Sequence, residues 1–234
     1  MPGCVIRCPT ADEPICATRE VGRPKFFFFY RDCLSRVKVS LPFTPFQMEA
    51  LLHLRLALSQ LHPNGWAYFV AFEQLCRSFP VPILCTTNLF FYYFGPFTPS
   101  SPKEGDKLKG LVSLRINPDR KLMTPFSDSF KCFKGAFFKV EAEFGKQPWF
   151  LEGPEDAHVG WRFPLYWMES HYNAKATSFQ ILHKDLWPES VSALPRLEAF
   201  VAEHGLKPAS FFITGEGSKP LPPTCRVLSF VGIL

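Results

Sequence analysis

The chain has 234 residues, 47% of them apolar, which is enough to bury a sizeable core and too many for a disordered chain. Lys and Arg number 26 against 21 Asp and Glu, a net charge of +5, which falls short of the excess carried by dedicated nucleic-acid binders. Phe contributes 26 residues and Pro 23, so the core is aromatic, and a coiled coil, a collagen-like chain and a disulfide miniprotein are all excluded.

Residues 1–25 mix Pro, Cys and charge without periodicity and are predicted to be a loose tail. Phe26-Phe27-Phe28-Phe29-Tyr30 is too apolar for water and reads as a buried strand or the start of a helix. At Thr44-Pro45-Phe46-Gln47 a capping box with Pro in the first turn predicts a helix start. Leu51, Leu54, Leu58 and Leu61 follow as one apolar stripe, and Pro63-Asn64-Gly65 reads as its break. A second helix is predicted over Trp66–Phe79 with Trp66, Phe69, Val70, Phe72, Leu75 and Cys76 inward, ended by Pro80 and Pro82. A third, Thr87–Phe94, is apolar all round and so central.

Together, 26–94 form a mainly helical part. The Pro-, Ser- and charge-rich stretch 95–109 reads as a linker. Beyond it, 110–205 reads as an α+β part. Leu111–Ile116 and Lys121–Thr124 are predicted to form a hairpin across Asn117-Pro118-Asp119-Arg120, and further strands are expected at Ala136–Glu143, Trp149–Leu151 and Pro164–Trp167. Pro188–Leu194 and Pro195–Glu203 read as two short helices, and 206–234 as a weakly ordered tail. The fold class expected is α+β: a helical cluster, a small antiparallel strand-rich part and short C-terminal helices.

The longest apolar runs fall far short of the roughly 20 residues of a membrane helix, and Arg7, Asp12 and Glu13 stand where a secretory signal would be apolar. The eight scattered cysteines read as free thiols of the cytoplasm or nucleus.

The catalytic motifs sought are missing. Gly215-Glu216-Gly217-Ser218-Lys219 has the wrong order for a phosphate loop. No Cys-x2-Cys pair or Cys/His knuckle suggests zinc. Neither a Gly-x-Ser-x-Gly elbow nor an Asp-Thr/Ser-Gly motif occurs, and no three carboxylates stand out for a metal-dependent nuclease. The expectation is therefore no enzyme, no cofactor, no metal and no small-molecule substrate. The stretch most suggestive of a ligand runs from Lys131 to Lys139, where Lys131, Lys134 and Lys139 interleave with Phe133 and Phe137. Rings could stack on bases there while ammonium groups meet phosphate. The competing reading is an amphipathic segment with Phe inward and Lys outward.

Several local patterns coincide: Phe27-Phe28-Phe29-Tyr30, Val39-Ser40-Leu41-Pro42-Phe43, Leu61-His62-Pro63-Asn64-Gly65-Trp66-Ala67-Tyr68, Phe72 with Cys76, Phe90-Phe91 with Phe94, and Pro164-Leu165-Tyr166-Trp167. Together they resemble the gypsy-type transposon domain of plant retroelements, a Gag-like family often labelled transposase. The likeness runs from about Phe26 to Trp167, and Leu61, His62, Pro63, Asn64, Gly65 and Trp66 carry its most specific motif. The resemblance implies a retroelement origin and supplies no catalytic residues. It leads to the expectation of a structural or interaction protein that meets protein partners or itself, with a nucleic-acid-binding module as the alternative.

Overall fold

The computed structural model describes residues 4–9, 13, 15, 26–97, 110–125, 133–146, 164, 165, 167, 179 and 181–214. Its elements in chain order are β1 (Cys4–Arg7), β2 (Phe26–Tyr30), α1 (Arg31–Ser35), α2 (Pro45–Leu54), α3 (Pro63–Ser78), α4 (Thr87–Tyr93), β3 (Phe94–Phe97), β4 (Ser113–Ile116), β5 (Met123–Thr124), β6 (Phe137–Ala142), α5 (Pro188–His204), β7 (Lys207–Pro208) and α6 (Ala209–Thr214). Single 3-10 turns cover Leu58–Gln60, Phe133–Gly135 and His183–Asp185. The fold is α+β, as expected.

The starts of α2, α3 and α4 each have a local cause. Thr44 and Gln47 cap α2 reciprocally: Gln47 N–H donates to Thr44 Oγ1 at 3.2 Å and Thr44 N–H to Gln47 Oε1 at 3.4 Å. Arg55, in the left-handed region at φ 53°, ends α2, and a 3-10 turn then carries Leu58 into the core. The predicted stripe of four leucines is thus divided, Leu51 and Leu54 in α2, Leu58 in the 3-10 turn and Leu61 just beyond it, yet all four are buried. His62 caps α3 by accepting from Asn64 N–H at 3.0 Å on Nδ1, with Pro63 at the first helical position. The Pro63-Asn64-Gly65 break is therefore the first turn of α3, which begins three residues earlier than predicted. Thr86, not Thr87 or Asn88, caps α4, its Oγ1 accepting from Leu89 N–H at 3.1 Å.

Among the described residues there are three sheets. β6 lies between β1 and β2 and runs antiparallel to both, with Phe26 opposite Glu141 and Val5 opposite Glu141 on its other side. β3 pairs antiparallel with β4, and β5 pairs parallel with β7 over two residues.

Several expectations are corrected. Residues 4–7, expected in a loose tail, form the edge strand β1. Leu111–Ile116 and Lys121–Thr124 do not pair with each other. The turn after Asn117 exists, but β4 takes the edge offered by β3, and Arg120 leads the chain away. The Arg120 guanidinium lies 4.1 Å from the Tyr92 ring centroid and donates to the carbonyls of Tyr92 and Ile181 at 3.2 and 3.1 Å. Pro188–His204 is a single helix that runs through Pro195, with Leu194 and Leu197 buried on either side of the proline, so packing holds a helix that sequence alone divides. In the expected C-terminal tail, 207–214 form β7 and α6. Pro164, Leu165 and Trp167 belong to no strand, and 149–151 lie outside the described residues.

One core joins elements from both sides of 95–109: Phe29, Trp66, Phe69 and Phe90 pack in the same cluster as Leu114, Leu165, Leu197 and Phe212. Phe90 is a hub, with the rings of Phe46, Phe69, Phe72, Phe91 and Phe94 at 4.5–5.5 Å.

Candidate functional site

The family-motif residues form a corner in which Leu61, Pro63, Gly65 and Trp66 are buried and His62 and Asn64 half-buried. Leu61 bridges in parallel to Val112, His62 N–H donates to Val112 O at 2.8 Å, and Val112 N–H donates to Gln60 O at 2.9 Å. Gln60, fully buried, also donates through Nε2 to Gly110 O at 3.1 Å. The His62 ring meets Phe133 edge-on at 4.5 Å. Trp66 is fully buried against Phe29, Phe43 and Phe69, and its Nε1–H donates to Leu58 O at 3.2 Å. The motif is an architectural joint between α3 and the 110–112 segment, with the Trp66 ring enclosed by protein and the half-buried His62 ring against Phe133.

The basic aromatic stretch divides. Lys131 and the side chain of Lys134 lie outside the described residues. Phe133 is buried against Tyr30, at 4.8 Å, and His62. Phe137 packs edge-on against Phe28 at 5.4 Å. Lys139 Nζ lies 4.3 Å from the Phe26 ring centroid and pairs with Glu13 at 2.5 Å and Glu141 at 3.0 Å. Arg7 Nε, on the neighbouring strand, reaches Glu141 at 2.8 Å. Burial pulls the Lys139 pKa down, but hydrogen bonds and charge from Glu13 and Glu141 outweigh it, so the net shift is upward. Phe133 and Phe137 thus contact protein rings, and the one described lysine side chain of the stretch is engaged by two carboxylates.

This differs from the reading in which Lys139 only solvates an outer face. Lys139→Gln leaves Glu13 and Glu141 without their shared cation and should cost about 1–3 kcal/mol of unfolding free energy. Chemical denaturation reads this, and an unmoved midpoint would restore the surface reading. Since the lysine pKa is raised, the contribution is held below the ordinary value of 10.5 and lost as pH climbs through the raised value.

A third region escaped the sequence reading. The segment after α3 runs along α5: Phe79 packs on Phe200 at 5.7 Å, Arg196 donates to Val81 O and sits 5.1 Å from the Phe79 ring centroid, and Thr86 Oγ1 meets Ser190 Oγ at 3.1 Å. Asn88 Oδ1 then accepts from Trp187 N–H at 2.9 Å. Along this seam stand Val81, 70% exposed, Leu84, 66%, Trp187, 50%, and Val191. A signal was present: Pro80 and Pro82 forbid a helix through Val81-Pro82-Ile83-Leu84, so those apolar residues lie on an irregular loop, where they cannot all turn inward.

Beneath the seam is a polar cluster. Gln47 Nε2 donates to Glu73 Oε2 at 2.6 Å, and Arg77 pairs with Glu73 at 3.5 Å. Burial pushes the Glu73 carboxyl up, opposed by Thr44, Arg77 and Gln47. Among the described residues, no group of three or more His, Cys, Asp or Glu could hold a metal ion, and no helix is long and apolar enough to cross a membrane.

Residues 28–95, from the third residue of β2 through α4 to the start of β3, match the model of a family described as "Putative gypsy type transposon". That stretch, under a third of the chain, is similar to a gypsy-type transposon domain, which supports derivation from a transposable element. The match stops at Gly95, short of Trp167, to which the sequence resemblance extends. No curated protein matches the chain, and no solved structure does.

Proposed function

We propose that the chain is a non-enzymatic, Gag-like interaction module of a plant gypsy-type element, working in the cytoplasm or nucleus by self-association. The observation that supports this best is the exposed apolar seam of Val81, Leu84 and Trp187 beside α5. A second copy suits it as partner. Arg196, beside the seam, is already directed to Val81 O and the Phe79 ring. An apolar patch also complements itself across a two-fold axis. The free thiols of Cys33, Cys76 and Cys85 suit a reducing compartment. The nucleic-acid alternative carries less weight, because Lys139 already has anionic partners.

Light scattering over a concentration series tests the proposal. The wild-type chain should weigh more than its 26.7 kDa monomer, increasingly so with concentration. Leu84→Asp combined with Val81→Asp should stay monomeric while keeping wild-type circular dichroism. A wild-type chain that is monomeric throughout, or that binds RNA with steep salt dependence, would overturn the proposal.

A further inference from the structure

His62 stands at the N-cap of α3, a place usually taken by a hydroxyl, carboxylate or carboxamide, and its Nδ1 accepts from Asn64 N–H at 3.0 Å. That bond fixes the tautomer: the Nδ1 lone pair is the acceptor and the ring proton sits on Nε2. The same residue closes the joint to the 110–112 segment. Its backbone N–H donates to Val112 O at 2.8 Å, and its ring meets Phe133 edge-on. Serine or asparagine in this place would hold the helix at any ordinary pH. An imidazole holds it only while neutral, because a proton on Nδ1 occupies the accepting lone pair. The proton also brings positive charge to the positive end of a 16-residue helix.

We propose that His62 is a pH-sensitive cap: acidification puts a proton on Nδ1, releases the first turn of α3 and loosens its joint to the 110–112 segment. Asn64, Val112 and Phe133, which meet His62, carry no charge. The titratable groups on the elements around it are few. Lys134 follows Phe133 in the 3-10 turn, and the Tyr30 phenol, whose ring also packs on Phe133, donates to Ser59 O at 2.9 Å. Glu73 and Arg77 stand in later turns of α3 and pair with each other. The folded chain binds the Nδ1 proton only by giving up a hydrogen bond that the unfolded chain does not have. The unfolded state therefore takes up the proton more readily, and stability falls as pH drops through the histidine range, about 6.5. His53, stacked on Phe91 at 4.6 Å and held by burial below the usual histidine pKa, adds acid sensitivity of the same sign, so the test must separate the two. The cap does not rest on the self-association reading.

Urea denaturation of the full chain, at one protein concentration, reads the device. Between about pH 7.5 and about pH 5, the unfolding equilibrium constant of the wild type should rise about five- to tenfold more than that of His62→Asn, whose carboxamide caps without titrating. His62→Ala has no side-chain cap to lose. It should follow the pH dependence of His62→Asn while being the less stable of the two at neutral pH. His53 and the remaining histidines are the same in all three proteins, so their contribution cancels from the comparison. In the wild type alone, the Asn64 amide resonance should shift with the same midpoint as the His62 ring protons when pH is lowered. Equal pH dependence of wild type and His62→Asn would overturn the proposal. An Asn64 amide that ignores the ring titration would overturn it too, whether or not the variants fold.

Discussion

Trp66→Ala should lower the unfolding free energy by about 3–5 kcal/mol, the range for an aromatic deleted from a closed core. The indole stacks on Phe43 at 5.2 Å and 27° and meets Phe29 and Phe69 edge-on at 5.2 and 5.7 Å. Leu58 O, which accepts from Nε1–H, would lose its partner inside the protein. These contacts tie α3 to β2 and to the 3-10 turn at once, so collapse of the neighbours cannot fill the space without moving an element. Urea unfolding followed by circular dichroism measures the loss. A folded variant with the wild-type midpoint would show that Trp66 is not the anchor of this corner.

Gly65→Ala should cost about 1–3 kcal/mol even though Ala is the better helix former. A Cβ at this position would stand 2.5 Å from Leu61 Cδ1 and 2.9 Å from Leu61 Cγ. Leu61 cannot easily yield, because it is fully buried and bridged to Val112. Leu61→Ala alone opens a cavity and should cost about 2–5 kcal/mol, yet on that background Gly65→Ala should add almost nothing. A double-mutant cycle reads this coupling. Strict additivity of the two changes would show that close approach is not what requires glycine here.

Both residues belong to the motif that is most specific in the sequence, and their burial explains the specificity: the motif is conspicuous because several packing demands meet within six positions. Several local signals were legible: the Thr44/Gln47 box, the proline at 188 and the aromatic run at 26–30 all led to elements that exist, whereas Pro63 was read as a break and opens α3 instead. Pairing was not legible. Nothing in Ser113–Ile116 says that its partner is Phe94–Phe97 rather than the nearer Lys121–Thr124, because alternation marks a strand without naming its neighbour. The dependence on Arg120, whose guanidinium meets carbonyls of Tyr92 and Ile181, is equally non-local. Pro195 misled for a similar reason: propensity ends the helix there, and the buried Leu194 and Leu197 carry it through. The interleaved Lys and Phe of 131–139 read either as a ligand surface or as an amphipathic segment with Phe inward and Lys outward, and the engagement of Lys139 was not legible because one of its two partners, Glu13, lies more than a hundred residues away.

The central position of β6 has a consequence for synthesis of the chain. β2 emerges from the ribosome more than a hundred residues before the strand that satisfies its backbone. At about 5–20 residues per second, that leaves Phe26–Tyr30, four phenylalanines and a tyrosine with open N–H and C=O groups, waiting on the order of ten seconds. A newborn chain is thus a sticky template during every round of translation. A polysome carrying many such chains would hold these waiting strands side by side, the arrangement in which nascent copies could meet before any one of them has finished folding.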